Sequence, residues 1–391
     1  MYELVTLDDR GDPREATRLV QQLAGSTRTV GVVYAGPSEG LPPAEAALSA
    51  AGMPAIICYG DLYGARALTP HIFQSSPSFL WEARRVASYL TGDRGYTRIG
   101  LVSERTLNGR TARQGLTLAL QERGRRLAAS ATYAASGNDV DDAIEVMRKR
   151  RVQAIVVEAD PNAAAGVLRG LRLAKAKYRD TRTARAGIAK SRRWAPQVVG
   201  LDLMMSPTLP ARDLVPGTVV ADTYARGAHY LPIPDFEGFR SRFFAWWDVS
   251  PLGWERRAYD AARMIGWAVR RVKGDPNGSD LAHQLEKMKG VRFSGLDITL
   301  GPDDHTAVDQ ATVGLWVVPR PGIDVAERSL LPAAMPWVPL GRGFSIDGER
   351  TDIASKDWRY LFRNAPPPKA PAPRIGRAHF GVKTPAGDPV H

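Results

Sequence analysis

Cysteine is almost absent. Cys58 is the single one in 391 residues, which excludes an internal disulfide and any cysteine-based metal cage. It closes the apolar run Ala55-Ile56-Ile57, where a buried, inert thiol is expected. The chain has no run of about 18 apolar residues, so no segment reads as a membrane-spanning helix. It opens with no recognisable signal peptide or lipobox. There is no G-x-G-x-x-G, no Walker loop and no H-E-x-x-H, and no repeat of solenoid period. No cofactor and no metal centre are expected from such a chain.

What is present is ordinary globular material. A hydrophobic content of 44% and a charged content of 24% are those of a soluble domain. The length suffices for two cores and an extension. The net charge is +12, but its distribution is uneven: ten basic residues between Arg169 and Arg193 face Asp180 alone, which places +9 in one stretch. With the remainder nearly neutral, nucleic acid is not expected as a partner. The 169–193 stretch could contact an anionic surface, and a solvated insertion explains it equally well.

The order of elements is more informative. Tyr2 to Leu23 reads as an apolar strand, a polar turn (Asp8-Asp9-Arg10-Gly11-Asp12-Pro13) and a capped helix. Alternation continues with strands at 29–35, 55–58, 98–103, 127–133, 154–158, 197–201 and 218–221. Helices fall at about 42–51, 79–90, 109–123, 140–150 and 162–175. Such βα alternation calls for parallel sheets covered on both faces. Helical patterns then dominate at 236–247, 256–272 and 280–289, before closing strands at 293–300 and 311–318. From Asn364 the tail is Pro-rich and reads as disordered.

Candidate chemistry is thin. Gly36-Pro37-Ser38-Glu39-Gly40 is a literal G-x-S-x-G between strand and helix, the setting of a nucleophile elbow. Glu39 would oppose a developing oxyanion there, and no partner announces itself among His71, His229, His283 and His305. Asp303-Asp304-His305 reads better as a turn than as a metal site. Trp246-Trp247 reads as packing before ligand platform. Asp8, Asp9 and Asp12 suit a turn and a helix cap.

Four segments, LDDRGDPREATRLVQQL (7–23), VVYAGPSEG (32–40), GYTRIGLVSERTLNGRTARQGLTLALQERG (95–124) and AYDAARMIGWAV (258–269), share their order and spacing with one family. The chain resembles the type I periplasmic-binding-protein family, closest to the branched-chain amino-acid (Leu/Ile/Val) binding proteins of bacterial ABC transporters. Residues 136–174 add the usual second-lobe helix, strand and helix, so the likeness runs from about residue 2 to 320. It implies an α/β fold of two Rossmann-like lobes joined by a three-crossover hinge, closing on a ligand. Lobe one would comprise 1–96 and 230–309. Lobe two would comprise 97–229 and 310–320, with a basic insertion at 175–194. A C-terminal extension (321–363) and the tail (364–391) would follow. Relative to the family, the first strand, its loop and its helix are missing from the N-terminus.

The resemblance also implies a site at the C-terminal ends of the strands. Family members hold a ligand carboxylate with hydroxyls and backbone amides on the first two loops, where Ser38 and Gly60-Asp61 stand here. An acidic residue on the last loop takes the ligand ammonium, and Asp202 falls there. Asp160 lies on the fourth loop, and Asn108 stands about where a tyrosine is frequent. Glu39 and Asp61 replace small or hydroxyl residues and would repel a carboxylate unless protonated or paired. The implied function is non-catalytic: an extracytoplasmic, periplasmic or cell-surface protein that binds an amino acid or similar polar solute for an ABC transporter permease. Two alternatives are a ligand-sensing or scaffold domain of a membrane-linked protein and a serine hydrolase acting through Ser38.

Overall fold

The computed structural model describes residues 3–61, 69–134, 136–137, 139–160, 163–172, 194–204, 217–222, 234–247, 253–294, 297–308, 313–317 and 338–339. The order begins with α1 (Pro13–Ala24), β1 (Val32–Tyr34), α2 (Leu41–Ala50), β2 (Ala55–Ile57), β3 (Ile72–Gln74) and α3 (Phe79–Ser88). It continues with β4 (Ile99–Glu104), α4 (Leu107–Gln121), β5 (Ala129–Tyr133), α5 (Val140–Lys149), β6 (Ala154–Glu158) and α6 (163–172). Then come β7 (Gln197–Gly200), β8 (Val219–Asp222), α7 (Pro234–Trp247), α8 (Gly253–Val269) and α9 (Gly278–Glu286). The last strands are β9 (Val291–Arg292), β10 (Asp297–Ile298), β11 (Gly314–Val317) and β12 (Val338–Pro339).

Two main sheets result. β1, β2 and β3 form a parallel sheet in that order. The second sheet has seven strands in the order β12-β11-β8-β7-β6-β4-β5, parallel from β8 to β5, with β11 antiparallel to both its neighbours. The chain passes to the larger sheet after β3, returns after β8 and crosses again before β11. Central β4 and β6 are buried at every position, as strands covered on both faces must be. Leu101 and Val156 pack toward α3 and α4, while Val102 and Val157 pack toward α5 and α6. In the smaller sheet Tyr34 and Ile57 meet α1 and α2, and Ile56 meets α8 and α9. This is the doubly wound α/β architecture expected from the alternation.

Local chemistry explains the well-read elements. Asp12 accepts from the Arg14 N–H and Pro13 opens α1, while the Arg10 and Gly11 N–H groups bond Asp8 and Asp9. The acidic trio is therefore turn and cap. The preceding strand does not form: residues 3–9 are irregular, with Leu4 78% and Val5 63% exposed. A strand needs a ladder partner for its N–H and C=O groups, and no described strand lies beside this segment. β3 was not anticipated. The expected strand at 293–300 is instead a β9–β10 hairpin pair. Between its strands Ser294 is engaged by α8, its hydroxyl bonding Asp260 and its carbonyl accepting from Arg256.

Helix α3 lies in the stretch the sequence grouped with lobe one, yet Phe79, Trp81 and Val86 share a core with Leu116 of α4 and the larger sheet. Of the expected basic insertion only Trp194 is described, its indole N–H bonding the Val152 carbonyl. The extension at 321–363 apart from β12, and the tail at 364–391, lie outside the described residues. Among the described residues no helix is long and apolar enough to cross a membrane.

Candidate functional site

The C-terminal ends of strands from both sheets meet. From the smaller sheet come the turn after β1 (Ser38, Glu39), the segment after β2 (Tyr59, Gly60, Asp61) and the start of α8. From the larger come Glu104 at the end of β4, the first turn of α4, Glu158 at the end of β6, then Asp160 and Asp202. All seven residues expected at a site are thus at this junction.

Their partners are specific. Ser38 donates to Glu39 Oε2 at 2.9 Å, and Glu39 Oε1 accepts the Leu107 N–H of α4 at 2.8 Å. Asp61 accepts the Phe79 N–H of α3 at 2.7 Å and the Gln74 side-chain amide at 3.2 Å. The two carboxylates that would repel an anion therefore each close a helix N-terminus on the larger sheet, where partial positive charge gathers. Burial pushes Asp61 up to about 6, against the lowering effect of those hydrogen bonds. Asp202 is bound to the guanidinium of Arg257, on the first turn of α8, and both side chains are nearly inaccessible. Arg257 is held in turn by Ser75, whose hydroxyl bonds its carbonyl.

Close approach at two glycines sets the spacing. Gly60 has φ +94°, and a Cβ there would lie 3.1 Å from Asn108 Oδ1. At Gly109 a Cβ would come within 2.0 Å of the Glu104 carbonyl and 3.0 Å of Glu158 Oε2. Only a residue lacking Cβ lets α4 start so near β4 and β6. Asn108 is 4% exposed and its Oδ1 has no hydrogen-bond partner among the described residues.

A group of acids lines the larger sheet's side. The Glu104 N–H donates to Glu158 Oε2 at 3.3 Å, and the Asp160 N–H reaches the Glu104 carboxylate. Asp160 also caps α6, accepting from the Ala163 N–H at 2.9 Å. Burial, then the Glu104 charge, pushes Glu158 up to about 8. Glu104 is raised by burial and by the Asp160 charge. Tyr59 enters from the smaller sheet, packs on the core beneath α3 and α4, and feels all four acids at 104, 158, 160 and 202.

The matching family model is described as periplasmic binding protein and spans residues 1–317. The chain belongs to the periplasmic binding protein family. Its fold is that of the type I members. A leucine-binding protein from Thermotoga maritima is 13% identical, with a TM-score of 0.67 over 81% of this chain and 84% of that one. A type 1 periplasmic binding protein from Bordetella pertussis is 18% identical, with a TM-score of 0.66 over 81% and 85%. A branched-chain amino-acid transporter substrate-binding protein from Streptococcus pneumoniae, solved with isoleucine, is 17% identical, with a TM-score of 0.62 over 81% and 83%. A search of the curated proteins gives no match.

For this periplasmic binding protein the Ser38 hydroxyl donates to the adjacent Glu39 carboxylate, and no histidine among the described residues is placed beside it. His305 bonds the Ile72 carbonyl at the start of β3, whereas Ser38 follows the end of parallel β1, at the opposite edge of the sheet. His71 and His283 are electrostatic or ionic neighbours of Glu286, and His229 lies outside the described residues. Cys58 is buried beside the Tyr34 carbonyl and pushed up to about 12, chiefly by burial, so it is a packing thiol. Trp246 and Trp247 are exposed on α7.

Sequence reasoning missed Arg257, Glu158 and Glu82, whose carboxylate accepts the Asp202 N–H at 3.4 Å. A signal existed. Arg257 shares the spacing of the buried stripe Ala261, Met264 and Ala268, and Glu82 that of Phe79, Ala83 and Val86. A charged residue on a core-facing stripe must have a partner.

Proposed function

We propose that this chain is an extracytoplasmic solute-binding protein of an ABC-type importer. It takes an amino acid or similar small polar solute between two lobes that close by hinge motion. The observation that carries this reading is the meeting of the two sheets residue against residue, Glu39 with Leu107, Gly60 with Asn108, and Arg257 with Asp202. Ser38, Glu39, Gly60, Asp61, Asn108, Asp160 and Asp202 form the site. Glu39, Asp61 and Asp202 hold the lobes in register, and Asn108 Oδ1 is left to meet a ligand donor. The packing of α3 argues for a first lobe that ends at about Ser75–Ser78 rather than at 96.

The test is a thermal-shift and calorimetric screen of amino acids, amides, amines and small carboxylates, with lobe closure followed by small-angle scattering. One solute should raise the melting temperature and reduce the radius of gyration. If none does either, solute binding is wrong for this chain.

A further inference from the structure

The interlobe junction is unbalanced in what it offers a ligand. Three places that could receive an anion are taken: the N-terminus of α4 holds Glu39, that of α3 holds Asp61, and the Arg257 guanidinium holds Asp202. Acceptors are in surplus. Among the described residues no ion pair reaches Glu39, Glu104 or Glu158, and nearby Arg105 is paired to Asp139. Asn108 adds a second, independent observation: a buried acceptor oxygen, close against Gly60, with no hydrogen-bond partner among the described residues. Ser103, next to Glu104 and in register with Glu158, likewise buries a hydroxyl without a partner.

Resting on the solute-binding reading above, we infer that the interlobe site takes a cationic amine lacking a carboxylate, not a zwitterionic amino acid. An ammonium group supplies three donors and one positive charge; among the described residues Glu104 has no cation paired to it and Asn108 Oδ1 has no donor. A ligand carboxylate would find the N-termini of α3 and α4 already closed and would face Glu39 and Glu104. Burial and the charges of neighbouring acids raise the affinity of Glu104 and Glu158 for protons, which agrees with a site short of positive charge.

Calorimetry with 1,4-diaminobutane, leucine and isovalerate on the full chain decides the matter, using wild type and Glu104→Gln. The diamine should bind wild type while leucine and isovalerate do not, and Glu104→Gln should weaken it about tenfold or more. Should Glu104→Gln lose its helical circular dichroism, Asn108→Ala takes its place and must show the same weakening. Leucine binding without diamine binding overturns the inference and leaves solute binding standing. Equal diamine affinity in wild type and variant means diffuse surface attraction and overturns it too. Silence from the whole panel, together with the broader screen, overturns both readings.

Discussion

Arg257 is 1% exposed and lies on the buried stripe of α8, so its charge needs a partner, which Asp202 provides, while the Ser75 hydroxyl bonds its backbone carbonyl. Breaking one side of such a pair strands the other charge in the interior. Arg257→Ala is therefore expected to cost about 3–5 kcal/mol of stability in urea unfolding. The paired apolar replacement Arg257→Met with Asp202→Leu should recover most of that loss, since burying two ions is itself expensive. A single variant as stable as wild type would mean the pair is dispensable.

Glu158 makes a pH argument. Its pKa in the fold is raised from 4.5 to about 8, so the folded chain keeps a proton that the unfolded chain has released. Stability is then largest below the unfolded value and falls as pH rises toward 8, by at most about 1.4 kcal/mol per unit. Asp61, raised to about 6, adds in the same direction only at lower pH. Between pH 6 and 8 the urea midpoint of wild type should fall, and Glu158→Gln should flatten that slope. A wild-type midpoint that rises over this range would contradict the assignment.

At the scale of elements, the N-termini of α3 and α4 do double duty. Each carries its own cap, Ser78 on α3 and Thr106 on α4, and each also receives a carboxylate from across the junction. Because the local caps remain, Glu39→Ala is expected to cost only about 1 kcal/mol in urea unfolding. Its larger effect should be on hydrogen exchange at Leu107, whose N–H loses its acceptor. Unchanged exchange at Leu107 would show that the bridge is not populated. Much at this scale was legible in the sequence: α5, β6 and α7 are close to their expected limits because period and caps are local. What was not legible came from contacts distant in sequence. The β9–β10 region is pulled out of extended form by Asp260 and Arg256 on α8. α3 sides with the larger sheet because its apolar face fits α4.

For the whole molecule, the resemblance located the junction but not its internal pairing. The resemblance could point to Asp202, while the guanidinium that meets it comes from a helix more than 50 residues away. The opening segment is the counterpart case. Tyr2–Leu7 has the composition of a strand, yet residues 3–9 stay irregular because period gives no partner. Among the described residues β1 is the edge of its sheet and pairs only with β2. A sheet edge without a described partner, and separately a run of exposed apolar residues, are each a template for association between chains. Replacing Leu4 and Val5 by lysine should leave the melting temperature within about 1 °C, because surface changes away from contacts cost little. The same replacement should reduce concentration-dependent association in sedimentation velocity, since charge in place of exposed apolar side chains opposes contact between chains. A large drop in melting temperature would show instead that these side chains are buried in the protein in solution. Unaltered association would mean that the β1 edge is already shielded by another part of the protein.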